Sequence, residues 1–130
     1  MPQAKVTESD VLPALLAVCP SFRQRWDEYV SAEVYVPNQV YVDVGEFARH
    51  LCALMQAGTV SEFSAVFVAV EHVLEEGDED ACDAVTTGLL EDLYFEAEDA
   101  GISPREWRKY FGPRATRAWE AYLVWAKKSD

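Results

Sequence analysis

Apolar side chains in this chain recur at three- and four-residue spacing, and a glycine or proline closes most of the runs. Phe47, Leu51, Leu54 and Met55 run up to Gly58, and Phe63, Val66, Phe67, Val70 and Leu74 run up to Gly77. The longest run, 79–100, stops at Gly101. Start signals match these stops. Asp10 reads as a cap for 11–19, with Pro13 in the first turn; Ser21 with Gln24 reads as a capping box for 22–32. Asp43 and Asp78 open further helices, and Ser103-Pro104 with Glu106 opens another. Gly112-Pro113 precedes a last helix with Ala115, Trp119, Tyr122, Leu123 and Ala126 on one face. The pattern predicts an all-α fold, a single-domain bundle of about seven helices over 1–130, its short turns making neighbours antiparallel as in stacked helix hairpins. Only 33–42 changes period: Val34, Val36, Val40 and Val42 alternate with Tyr35 and Tyr41 around Pro37-Asn38. There an extended, ordered segment is expected, with a small hairpin as the alternative.

Charge is distributed as unevenly as the breaks are regular. Between Arg49 and Arg105 the chain has no lysine or arginine, yet it carries thirteen aspartates and glutamates, within a net charge of -12. Solvated helices ordinarily intersperse both signs. A field this one-sided opposes nucleic-acid phosphates and anionic membranes, and it favours a basic protein surface. At about 100° per residue, 79–100 places Cys82, Val85, Leu89, Leu93 and Ala100 toward the core. Asp80, Asp83, Thr87, Glu91, Tyr94 and Glu98 fall on the opposite side. Such an acidic ridge around an aromatic resembles an interface anchor ringed by steering charges. With Glu75 and Glu76 flanking it, these residues are the candidate partner-binding set; a simple solvated face is the competing reading. Arg105, Arg108, Lys109, Arg114, Arg117, Lys127 and Lys128 then reverse the polarity, and they are expected to fold back on the acidic helices. Trp125, off the Trp119–Leu123 face, and the Tyr35–Tyr41 segment are further contact candidates.

Signals for chemistry are sparse. His50 and Cys52 are two apart on a helix and point to different sides, and Glu46–His50 and His72 with Glu75 or Glu76 read as surface pairs. No HExxH, phosphate loop, dinucleotide fingerprint or EF-hand spacing occurs. The expectation is therefore a non-enzyme with no cofactor and no metal. Cys19, Cys52 and Cys82 form no CxxC pair and read as free thiols in a reducing cytoplasm. The apolar runs are too short to span a bilayer, and the N-terminal residues lack a signal-peptide pattern.

The segments "VTTGLLEDL" (85–93) and "FGPRATRAWEAY" (111–122), with "FARHL" (47–51) and the Gly77-Asp78 turn, resemble a family of small bacterial all-helical domains of unknown function. The likeness covers roughly residues 40–125 and implies a helical fold without assigned catalytic residues. In size, acidity and lack of catalytic groups the chain is also similar to immunity proteins that neutralise a basic toxin or nuclease. The functional expectation is an immunity-type inhibitor docking its acidic face on a basic protein, the alternative being a self-associating or scaffolding adaptor.

Overall fold

The computed structural model describes residues 6–130. Seven α-helices follow in order: α1 (Glu8–Val18), α2 (Phe22–Ser31), α3 (Val40–Ala57), α4 (Phe63–Glu76), α5 (Glu79–Asp83), α6 (Glu91–Asp99) and α7 (Pro113–Ala126). A π-helix, Ala84–Leu90, joins α5 to α6 without a break, and a 3-10 helix, Pro104–Tyr110, precedes α7. No strand forms among the described residues, and Val6 makes only an isolated bridge to Gly77. The all-α expectation holds.

Locally determined boundaries fall where the sequence puts them. The Asp78 carboxylate accepts from the Ala81 N–H at 2.8 Å, and Gly58 (φ 74°) and Gly101 (φ 73°) take the left-handed conformation that ends a helix. Other starts move. α1 begins earlier than expected, with Thr7 as cap, and Asp10 reaches back to the Thr7 N–H at 2.9 Å. α3 begins at Val40, so Val40 and Val42 are helical and no hairpin forms. Asp43 is no cap: its buried carboxylate accepts the hydroxyls of Tyr29 (3.1 Å) and Tyr35 (3.4 Å). Ser21 makes no capping bond of its own, and Gln24 turns to Glu28 at 3.2 Å.

The segment after Pro104 winds as 3-10 rather than α. Three residues per turn align 104, 107 and 110 on one edge. Trp107 is thereby fully buried against Phe63 and Phe67, and Tyr110 beside it stacks on Phe67 and meets Phe63 edge-on. The rod formed by α5, the π-helix and α6 packs along α3, with α1 and α4 against its first half and α7 against the π-helix. Phe22, Phe47, Leu51, Phe63, Phe67, Leu89, Leu93, Trp107 and Trp119 are wholly buried between these elements.

Candidate protein-binding face

The π-helix decides where the acidic residues point. Projection at 100° per residue assumes α geometry, and the wider i→i+5 turns of Ala84–Leu90 rotate everything after them. Before the π-helix only Ala81 is buried; within it Ala84, Val85, Gly88, Leu89 and Leu90 are buried; after it the stripe is Leu93, Tyr94 and Ala97. Tyr94 is thus moved off the predicted ridge into the core. It is 3% exposed, tilted against Trp119 and edge-on to Tyr122, and its hydroxyl donates to the Ser129 carbonyl at 2.8 Å. It is no interface anchor.

The rest of the predicted set is split. Asp80 and Asp83 are exposed, and Glu91 is half-buried one π-turn further on. Glu98 is exposed but lies 3.8 Å from Lys128, whose ammonium also sits over the rings of Tyr94 and Phe95. Glu75 lies 3.9 Å from Arg114 on a different side of the bundle, and Glu76 is half-buried beside the Val6–Gly77 bridge. The expected fold-back of the C-terminal cations is therefore carried by Arg114, on Glu71 and Glu75, and by Lys128 on Glu98. Arg108 and Lys109 pair instead within the C-terminal part, with Glu120, Asp130 and Glu106. Glu8, Asp80, Asp83 and Glu91 have no ion pair among the described residues.

What replaces Tyr94 is Tyr41. Its ring lies across Gly88 of the π-helix, where a methyl group would sit 3.2 Å from Tyr41 Cδ1 and 2.8 Å from Val44 Cγ2; only glycine lets α3 come this close. Tyr41 is 45% exposed. Partial desolvation, and then the carboxylates of Asp83, Glu8 and Asp80, raise its hydroxyl above the ordinary tyrosine range, so the charge of all three acids is felt there. Val34, Val36 and Val42 stand exposed along a shallow groove with Tyr29 and Gln39, a lining that does not include Tyr41. An exposed aromatic near carboxylates that have no ion pair among the described residues has the make-up of a protein interface, an apolar centre with a polar rim. The Tyr35–Tyr41 segment and the acidic helix, separate candidates in the sequence, form this face together. Glu8 carried no sequence signal beyond its charge.

On the other flank of the π-helix, Thr86, Thr87 and Glu91 face Ala118, Ala121, Tyr122 and Trp125 of α7 across a groove of about 350 Å³. Trp125 is 79% exposed, as its position off the buried face of α7 implies, whereas Trp107 and Trp119 are core and Trp26 is half-buried.

A cluster with no sequence signal joins Ser21, His50, Glu62 and Cys19. Ser21 Oγ lies 2.9 Å from His50 Nε2, a spacing suited to a serine nucleophile and its base. The proton roles run the other way. Ser21 donates its one hydroxyl proton to Glu62, which also accepts the Ser21 N–H at 3.1 Å, so His50 Nε2 donates to Ser21. Burial of Cys19 pushes its thiol up to about 11, far from a thiolate at neutral pH. The cluster ties α2 to α3 and α4. No group of three or more His, Cys, Asp or Glu among the described residues is arranged to hold a metal ion.

Burial, and next the nearby Arg25 charge, hold the His50 imidazole below its ordinary value. The folded state then binds the proton less well than the unfolded chain, so this contribution to stability is intact above about pH 6.5 and is lost as pH falls. Urea midpoints of the wild type should drop between pH 7 and 5 more than those of His50→Gln. The difference is bounded by about 1.4 kcal/mol per pH unit. Equal slopes for the two proteins would show that His50 takes up its proton as readily in the folded state as in the unfolded chain.

Comparison with known proteins gives one match. Residues 12–126 match the family described as Domain of unknown function (DUF7674). No curated protein and no solved structure matches. Among the described residues no helix is long and apolar enough to cross a membrane.

Proposed function

The chain belongs to this family of unknown function, and we propose that it is a non-catalytic protein-binding domain of immunity type, neutralising a basic toxin or nuclease by covering its surface. The observation that carries the reading is the exposed Tyr41, whose hydroxyl feels three carboxylates that have no ion pair among the described residues. Unpaired charge of one sign speeds encounter with a basic partner, while a partly buried aromatic and the adjoining valines supply the short-range contacts that hold it. Tyr41, Asp80, Asp83 and Glu8 form the centre of the contact, Glu91 extends it, and Glu75, Glu76 and Glu98 lie outside it. A cytoplasmic location, where Cys19, Cys52 and Cys82 stay reduced, accompanies this reading.

The test begins with capture of partners at low salt by the native chain and by an Asp80→Lys, Asp83→Lys variant, followed by kinetics with the captured protein. The association rate should fall at least about ten-fold in the variant, and it should fall steeply with ionic strength in the native chain. An on-rate indifferent to salt would end the proposal. Arg105, Arg117 and Lys127 are exposed and free of ion pairs among the described residues, which favours a second reading, an adaptor that meets its own acidic face head to tail. Light scattering separates the two: a mass that rises at low salt supports self-association, and a monomer at all salt concentrations removes it.

A further inference from the structure

We infer that the groove between the π-helix and α7 is a pocket for an arginine side chain of the partner protein, with Glu91 as its counter-charge and Tyr122 and Trp125 as its stacking walls. The floor is made of small side chains, Ala118 and Ala121, and the opposite wall of Thr86 and Thr87. The rings of Tyr122 and Trp125 are 6.4 Å apart and inclined at 36°, so a planar cation can lie against one face while the other closes its side. Glu91 has no ion pair among the described residues, and its neighbour in sequence and space is another carboxylate, Asp92. Burial, and then Asp92, make the charged form of Glu91 costly, and the half-buried Glu91 field is felt at the Tyr122 hydroxyl. A cation in the groove would relieve both burdens. Arg117, also on α7, does not line the groove and is not that cation.

Guanidinium fits this lining better than ammonium. It is flat enough to stack on an indole, it gives up its hydration more readily, and it offers a carboxylate two parallel N–H donors. The inference deepens the docking proposal and rests on it for the source of the arginine, but the chemistry of the pocket can be examined with no partner present.

The experiment follows the indole N–H resonances of the uniformly 15N-labelled protein during titration with N-acetyl-arginine amide at pH 7. Trp107 and Trp119 donate to the Leu93 carbonyl and the Asp130 carboxylate and serve as internal references for an intact fold. The Trp125 indole and the Thr87 amide should shift saturably, with a midpoint in the millimolar range expected of one side chain. The neutral isostere N-acetyl-citrulline amide should bind about ten-fold more weakly or not at all, and Glu91→Gln should weaken arginine binding by a similar factor. The proposal is overturned by no saturable shift, by equal shifts from citrulline, or by full binding in Glu91→Gln. N-acetyl-lysine amide binding as tightly as arginine would overturn the choice of guanidinium. Because the capture experiment perturbs Asp80 and Asp83 and this one does not, either reading can fail while the other stands.

Discussion

Trp107→Ala should cost the fold about 3–5 kcal/mol, the range for deleting a fully buried tryptophan, and should be the most damaging single change in the C-terminal half. The indole is completely buried, its ring lies 5.6 Å from that of Phe63, and its N–H donates to the Leu93 carbonyl at 3.0 Å. Trp107 is the one buried residue of the 3-10 segment, so this side chain carries most of that segment's hold on the core. With a total stability of about 5–15 kcal/mol for a domain of this size, such a loss leaves a protein that unfolds in mild urea. Trp107→Phe should keep most of the packing and lose the hydrogen bond and part of the volume, costing about 1–2 kcal/mol. Urea denaturation followed by circular dichroism gives both values. A loss below about 1.5 kcal/mol for the alanine variant would mean that the 3-10 segment is not part of the cooperative core.

The contrast between what the sequence shows and what it hides follows from the range of the forces concerned. Gly58, Gly101 and Asp78 act on their own backbone and one turn beyond it, so their roles can be read from neighbours alone. The core stripe of α4 is legible for the same reason: Phe63, Val66, Phe67 and Val70 share a face in any α-helix. The π-helix is different. Nothing in the pattern of 84–90 requires it, and the close approach of α3 at Gly88 is a tertiary event. Once it forms, a uniform projection fails for every residue beyond it. Tyr94, assigned to the ridge, is therefore core, whereas Asp80 and Asp83, which precede most of the π-turns, remain where the projection put them. Asp43 shows the same limit in another form. An aspartate ahead of an apolar run reads as a cap, but two tyrosine hydroxyls from 29 and 35 make it a buried acceptor, and the helix starts without it. The site was half legible: its charge lay in the composition, and its aromatic lay in a segment whose change of period was visible. The distance between the two was not.

The start of α7 allows a prediction whose sign reverses with background. Gly112 occupies the cap position and has no side chain to accept the first free N–H groups of the helix, and Pro113 has none to offer. Glu71 of α4 takes that role from outside: its carboxylate accepts the Arg114 N–H at 2.8 Å and the Ala115 N–H at 3.1 Å, with the Arg114 guanidinium 3.6 Å away. Negative charge at a helix N-terminus and two charge-assisted bonds in a partly buried position make Glu71→Ala worth a loss of about 2–3 kcal/mol. Gly112→Ser should also destabilise the native chain, because a Cβ there meets Glu71 Oε1 at 2.6 Å and Cδ at 2.7 Å, displacing the carboxylate from both amides. With Glu71 already reduced to alanine, that space is empty and the serine hydroxyl can cap the helix itself. The same substitution should then stabilise the protein by about 1 kcal/mol. A double-mutant cycle in urea measures the coupling directly. Two independent, additive losses would show that Glu71 does not hold the helix start; a change of sign at Gly112 would show that one carboxylate on α4 sets the position of α7, and with it the Tyr122 and Trp125 wall of the groove.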